Sequence, residues 1–257
     1  MKKIRSVSRA VRILEAFSDG KLFTVTELSR TLKLPKSSLF EILATLVAEG
    51  MVAKDDETNQ YHLGLKLLGL ASSARQGLEV SRAAQPLLKR LNETLNETVQ
   101  LTILDKDEVL YVDGFESTKQ LRTFFSLGDR APLHCTAVGK AILAFLPKTE
   151  IRRIIRSKGV QRFTSNTLSD ERRLFVDLER TVARGYSIDN VEHEEGVRCV
   201  GAPVRNRQGE AFAAISVSGP SHRLLPERDK EIARLVVDAA EEISRRLGYA
   251  PAEKGGE

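Results

Sequence analysis

Between residues 6 and 96 apolar side chains recur at three- and four-residue steps, the period of amphipathic helices. Residues 6–18 predict a first helix with Val7, Val11, Leu14 and Phe17 on one side, Ser6 or Ser8 as its cap and Asp19-Gly20 as its end. Thr24 and Glu27 have the spacing of a capping box, which satisfies free N–H groups at a helix start. Leu28 and Leu32, with Val25 before them, give this short helix one apolar side. Lys33-Leu34-Pro35 breaks it, and Pro suits the first turn of the helix that follows. That helix runs to about Glu49 on a stripe of Leu39, Ile42, Leu43, Leu46 and Val47, and Gly50 closes it. Val52 and Tyr61/Leu63 flank a polar turn at 55–59, as in a hairpin. Two short helices, a tight turn and a hairpin predict a winged helix-turn-helix over 1–64, whose second helix enters the DNA major groove.

Residues 65–78 read as a linker helix, apolar but holding Gly69 and a Ser pair. A longer helix follows over about 79–96 on Val80, Ala83, Ala84, Leu87, Leu88, Leu91 and Leu95; Pro86 should kink it or mark its true start. From Thr98 the rhythm changes to alternation, the period of half-buried strands. Strands are expected at 99–104, 109–112, 121–125, 186–190, 197–204 and 211–217. Helices are expected at 137–146, closed by Pro147, and at 149–157, 169–184 and 226–247. The chain is therefore read as α+β: an antiparallel sheet with flanking helices over 79–250, behind the winged head and its linker. The tail, 251–257, reads as disordered.

Composition narrows the setting. The chain has 257 residues, 41% hydrophobic and 29% charged, enough for one large or two ordinary domains. No apolar run reaches the ~20 residues a membrane span needs. Arg9 and Arg12 interrupt any signal-peptide core, and two cysteines do not make a disulfide framework. A cytoplasmic protein with reduced thiols is expected. The net charge of +5 is unevenly placed. Residues 1–40 carry Lys2, Lys3, Arg5, Arg9, Arg12, Lys21, Arg30, Lys33 and Lys36 against Glu15, Asp19 and Glu27. Residues 41–60 reverse this, with Lys54 against Glu41, Glu49, Asp55, Asp56 and Glu57. The basic edge thus leads the segment that would meet phosphates, although charge alone also describes a solvated face.

Candidate chemistry concentrates in the second half. Ser216 and Ser218 lie two apart on a strand, so both hydroxyls share one face. Asp189, His193, Glu194 and Glu195 precede the strand holding Cys199. His134-Cys135-Thr136 lead into a helix whose start, at Ala137-Val138-Gly139, could present N–H groups to an anion. Together these suit a small organic or keto acid. Equally, the serines could bond backbone and Cys199 could be a small core residue. Enzyme readings lack signatures: Ser216 sits in AAISVSG rather than a nucleophile elbow, and Gly139-Lys140 is no phosphate-binding loop. A Cys135/His193 or Cys199/His193 pair has the residue types alone. A zinc site from His134, Cys135, His193 and Cys199 matches no standard spacing. No catalytic residue, metal or cofactor is assigned.

The stretches SRAVRILEAF, TVTELSRTLKLPKSS and YHLG, then APLHCTAVGKAILAFLP, Gly185-Tyr186 with Asp189, residues 195–199, Ala202-Pro203-Val204 and AAISVSGP, resemble the IclR (isocitrate lyase regulator) family of bacterial transcription regulators in order and spacing. The resemblance covers nearly the whole chain. It implies a winged-helix DNA-binding domain, a linker helix and a GAF- or profilin-like effector domain. It also implies a homodimer or tetramer on a roughly palindromic double-stranded DNA operator, responding to an organic, sugar or aromatic acid, more as repressor than as activator. Carried over by position, the effector pocket would take Asp189, Cys199, Ser216 and Ser218, backbone from Ala137 and Val138, and walls from Leu121, Thr123 and Val197. DNA contacts would come from Arg9, Thr24, Lys36, Ser37, Ser38, Phe40 and Glu41. One departure stands out. Where the family's reading helix usually carries Arg or another polar donor, this chain has Glu41, which can accept from cytosine N4 but cannot make the Arg–guanine pair. Glu41 is alternatively turned to another side chain, and Phe40 either touches a thymine methyl or is core. A cysteine-dependent enzyme with a DNA-binding head and a ligand-free nucleoid-type binder are the competing classes.

Overall fold

The computed structural model describes residues 3–18 and 20–250. Asp19, expected to help end the first helix, and the tail 251–257, expected to be disordered, lie outside the described residues. The chain divides between Gly77 and Leu78 into two compact units.

The N-terminal unit holds α1 (Arg5–Ala16), α2 (Val25–Leu32), α3 (Lys36–Ala48), a hairpin of β1 (Val52–Lys54) and β2 (Tyr61–Leu63), and α4 (Lys66–Gln76). Its core is Ile13, Phe17, Leu28, Leu39, Leu43 and Leu46 with Val52 and Tyr61. Burying a leucine of this kind is worth about 1.5–3 kcal/mol. On α1 the buried side is Ala10, Ile13, Leu14 and Phe17, while Val7 and Val11 are exposed. Both valines lie past the edge of that stripe, on the side away from Ile13, so the expected stripe was turned too far. Neither Ser6 nor Ser8 caps α1: the helix starts behind an extended Ile4, with both serines inside it. The capping box forms as expected. The Thr24 N–H donates to Glu27 Oε2 at 2.7 Å, and the Glu27 N–H donates to Thr24 Oγ1 at 3.4 Å. Lys33 adopts a left-handed φ of 55° to stop α2, and Pro35 stands at the N-cap of α3 rather than inside it. On α3, Leu39, Leu43 and Leu46 are buried, whereas Val47 is exposed. Tyr61 also pairs with Phe23, a third short strand contact that the hairpin pattern does not announce. No residue of α4 is buried.

The C-terminal unit is a six-stranded antiparallel sheet in the order β5-β4-β3-β8-β7-β6. Its strands are β3 (Thr98–Asp105), β4 (Glu108–Phe115), β5 (Arg130–Ala131), β6 (Ser187–Asn190), β7 (Val197–Arg205) and β8 (Ala211–Pro220). Alternation along β3, β7 and β8 assigns the two faces. Val99, Leu101, Val200, Ala202, Ile215 and Val217 pack against α5 (Glu79–Leu95) and α9 (Asp229–Arg246). The opposite face, with Ala214, meets α6 (Ala137–Leu143), α7 (Lys148–Lys158) and α8 (Glu171–Arg184). Small residues let α6 approach: a Cβ on Gly201 would lie 3.0 Å from the Ala137 backbone.

Three expectations change here. Residues 121–125 are not a strand; the chain there is anchored by Thr98 Oγ1 donating to Thr123 O at 2.8 Å and Thr123 Oγ1 donating to Ser218 O at 3.1 Å. Side-chain bonds replace a ladder, and β4 is instead flanked by β5. α5 runs unbroken across Pro86, which is not its start. α6 ends at Leu143, three residues short of the expected 146, and turns complete the stretch.

Candidate functional site

The exposed side of α3 is Ser37, Phe40, Glu41 and Ala44, spaced at three and four residues, with Lys36 exposed at the first position. Phe40 is 59% exposed, which removes the core alternative. The Glu41 side chain has no hydrogen bond or ion pair within the described residues, so it is not turned to another side chain; only its backbone carbonyl accepts, from Thr45. Ser38 and Arg9 are half-buried. Thr24 is occupied: its hydroxyl donates to Glu27 Oε2 at 2.8 Å within the cap. Pro35 offers no side-chain cap, so the first N–H groups of α3 are left without side-chain partners in an open, basic setting.

In the C-terminal unit a cavity of about 240 Å³ opens on the α6 face of the sheet. Thr123, Ala137, Val138, Asp189, Val197, Cys199, Ser216 and Ser218 all border it. Leu121 does not: it is 61% exposed, and its carbonyl accepts from Arg223 Nη2 at 2.8 Å. Strand register explains the gathering. Cys199 stands opposite Asp189 on one side and Ser218 on the other, and Ser216 faces Gln100 across β3.

Gln100 was missed by sequence reasoning. Its Oε1 accepts from Ser216 Oγ at 3.2 Å and from Ser218 Oγ at 3.0 Å, so the two hydroxyls serve one amide instead of backbone. The available signal was polar Gln100 and Thr102 alternating with Val99, Leu101 and Ile103, a strand whose second face is buried but polar. Tyr111 was missed as well; it borders the cavity from β4, and burial pushes its phenol far up.

Asp189 is 3% exposed, and burial pushes its carboxyl up to about 7. Its Oδ1 accepts from the Glu192 N–H at 2.7 Å. Between them Val191 has φ +59°, a left-handed conformation that is a genuine outlier for a β-branched residue. Such strain is worth about 1–3 kcal/mol and persists only where neighbours enforce it. Here Thr164 Oγ1 donates to Val191 O and Thr167 Oγ1 donates to Glu192 O, both at 2.6 Å. Glu192 in turn meets Lys140 Nζ at 2.5 Å, and Asp177 Oδ2 meets the same ammonium at 2.8 Å. Lys140 is fully buried; burial alone would lower its ammonium, but the two carboxylates outweigh that and hold it charged. The cavity wall, the strained turn and α8 are thus joined through one buried cation.

The nucleophile reading finds no geometry. Burial pushes both Cys135 and Cys199 thiols far up, away from the reactive thiolate, and among the described residues neither is hydrogen-bonded to an imidazole. His193 is held below its ordinary value by burial and packs on Phe163, ring centres 5.1 Å apart. Among the described residues, no group of three or more His, Cys, Asp or Glu is placed to hold a metal ion.

Comparison with known proteins decides the assignment. The IclR helix-turn-helix domain profile matches residues 6–56, and the bacterial transcriptional regulator IclR C-terminal profile matches residues 72–245. The chain belongs to the IclR family of bacterial transcriptional regulators. It is 39% identical over 256 residues to the HTH-type transcriptional regulator BhcR of Paracoccus denitrificans, covering 99% of this chain and 90% of that one. It is 34% identical over 248 residues to the HTH-type transcriptional repressor AllR of Escherichia coli, covering 96% and 92%. Among solved structures, an IclR homologue from Microbacterium hydrocarbonoxydans complexed with 4-hydroxybenzoate superposes with a TM-score of 0.82 at 25% identity, covering 94% of this chain and 98% of that one. This IclR-family protein is a DNA-binding regulator with an effector-type C-terminal domain, not an enzyme. No helix of its described residues is long and apolar enough to cross a membrane.

Proposed function

We propose that this regulator is a repressor that binds a palindromic operator as a homodimer or tetramer and is released by a small organic, sugar or aromatic acid held in the Asp189 cavity. One observation carries the reading: a cavity of about 240 Å³ in which buried Asp189, Ser216 and Ser218 converge with Gln100. Near neutral pH much of the Asp189 population is protonated, so it donates a hydrogen bond instead of repelling a carboxylate. The homologue holding 4-hydroxybenzoate and the AllR repressor support ligand class and sign.

On DNA, α3 would lie in the major groove, with Lys36, Ser37 and the free N–H groups of its first turn on phosphate and Phe40 and Glu41 nearest the bases. Ser38 and Arg9 would assist at the backbone, and Thr24 would act through the cap that sets α2. Residues 65–78 would link the winged head (1–64) to the effector domain (79–250); the absence of any buried residue on α4 supports this role. A palindromic site requires paired heads. Exposed Ile4, Val7 and Val11 on and before α1, and Leu65 and Leu68 at α4, give apolar surface that a second copy would cover. The setting is the compartment that holds the DNA.

The test is a thermal-shift screen of the full chain against organic, sugar and aromatic acids, paired with selection on random DNA. A stabilising acid should lose its effect in Asp189→Ala/Ser218→Ala while that variant still binds the selected operator. Unchanged stabilisation would place the ligand elsewhere, and no enriched palindrome would overturn the operator reading.

A further inference from the structure

A second cavity, of about 280 Å³, opens at the other end of β7. It shares no lining residue with the Asp189 cavity. Cys199 and Arg205 are six residues apart on β7, roughly 20 Å at strand rise. β6 pairs with β7 only as far as Ser187–Gly201, so the outer edge of β7 is open beyond that point. Over this edge, Ala202 and Pro203 of β7 and Val237 and Ala240 of α9 make an apolar floor.

Arg205 supplies the charge. Its guanidinium lies 4.2 Å from the ring centre of Phe145 and 5.8 Å from that of Tyr249. Nη1 donates to Gly209 O at 2.9 Å, and the backbone N–H donates to Ser244 Oγ. Among the described residues no carboxylate pairs with this guanidinium, and the Nε–Nη2 edge has no partner. Glu241 borders the same cavity but stands 3.9 Å from Arg245, which also pairs with Glu242. A half-buried cation beside apolar walls ordinarily has an anion. Here two aromatic rings restrain it and one edge remains, the edge that matches a carboxylate two-to-two.

We propose that this cavity is a second ligand site, for a planar monocarboxylate of aromatic type, with the carboxylate forked on Nε and Nη2 of Arg205 and the flat body on Ala202, Pro203 and Val237. The site stands whether or not the Asp189 cavity binds the effector. A ligand here would bridge the ends of α6, α8 and α9 at β7, since Phe145, Val182, Gly185 and Ser244 also border the space.

The chain contains no tryptophan, so Tyr249→Trp in the full-length protein gives a single local reporter. Titration with sodium benzoate, against sodium chloride at equal ionic strength, should give a saturable fluorescence change, and neutral benzamide should give none. Adding Arg205→Gln should weaken the apparent affinity at least tenfold. Arg205→Lys, which keeps charge and much of the packing stem, should weaken it as well, and it serves if the Gln variant does not fold. Adding Asp189→Asn should leave the response intact. Absence of a saturable change, equal affinity without the guanidinium, or loss of the signal with Asp189→Asn would each overturn the assignment.

Discussion

On α3 the polar groups offered to a partner, Lys36, Ser37 and Glu41, stand in solvent, whereas around the cavity Asp189, Ser216 and Ser218 are each no more than 3% exposed. The first set can change with little consequence for folding, because water satisfies what a missing partner does not. The second set is satisfied from within the fold, the serines by Gln100 and the Asp189 carboxyl by the Glu192 N–H. On the function proposed above, recognition of DNA is separable from stability in this chain, and recognition at the cavity is not. The α2–α3 pair rests on local devices, the Thr24 cap of α2 and the apolar stripes of both helices. The cavity rests on strands 116 residues apart in sequence, as in the Ser216–Gln100 bond.

The largest test of this contrast is Lys140→Met. It leaves the buried Glu192 carboxyl without its cation, and half-buried Asp177 with only the more distant Arg184 at 3.8 Å. Breaking a buried pair by removing one partner costs about 3–5 kcal/mol. Hydrogen exchange should show the C-terminal unit opening more readily by that amount, with protection of α2 and α3 unchanged. Equal loss in both units, or none in either, would break the contrast.

Next is the pH dependence of the cavity. Burial raises Asp189 to about 7, above its unfolded value of about 3.9. The folded state thus keeps a proton that the unfolded chain releases. This group's contribution is fully present below pH ~4 and is lost as pH rises through ~7, by about 4 kcal/mol at most. Denaturant titrations at pH 5 and pH 8 should differ less in Asp189→Asn than in the parent chain. A parent whose stability does not fall over that range, after subtraction of the Asn variant, would show that Asp189 is ionised in place.

Much of the fold is legible in the sequence because its signals are local. The capping box at Thr24, the break at Lys33-Leu34-Pro35 and the alternation at 99–104 each come from neighbours within a few positions. The misses share another cause. Val7 and Val11 are as apolar as the residues α1 buries, and only the packing of Ile13 and Phe17 against the rest of the unit selects the side. Residues 121–125 are rich in strand-forming types, but Thr98 and Ser218, distant in sequence, hold them as an anchored loop. Around the cavity, the Ser pair is visible as a same-face pattern, while Gln100, Tyr111 and the Lys140 cluster belong to it only through register and helix placement. The strain at Val191 has no sequence signature, since nothing in Asp-Asn-Val-Glu demands a positive φ.

A smaller effect is expected on the reading helix, and on binding alone. Lys36→Ala should lower operator affinity at every sequence and reduce the salt slope by about 1, as the loss of one phosphate contact does. Phe40→Ala should lower discrimination at one or two base pairs by about 1–3 kcal/mol if its ring meets bases. Both side chains are exposed, so melting of the N-terminal unit should not move. A fall in melting temperature with unchanged DNA binding would reverse the roles given to the two units.

The smallest effect sharpens where the separation ends. Thr24→Ala removes one half of the capping box while leaving the Thr24 N–H bond to Glu27 Oε2 available to the new residue. Loss of such a cap is worth about 1 kcal/mol. The Glu27 carboxyl is held below its ordinary value by the Thr24 backbone and hydroxyl, so its share of the cap fades as pH falls through the carboxylate range. If Thr24 matters to DNA only through the start of α2, Thr24→Ser should restore both stability and operator affinity. Thr24→Asp should then restore stability, because Asp caps as well as Ser, yet weaken binding if the hydroxyl also lies near a phosphate. Parallel recovery of both quantities in Ser and Asp variants would confine Thr24 to folding. Divergence in the Asp variant alone would make this residue the one point where the N-terminal unit uses a single group for both tasks.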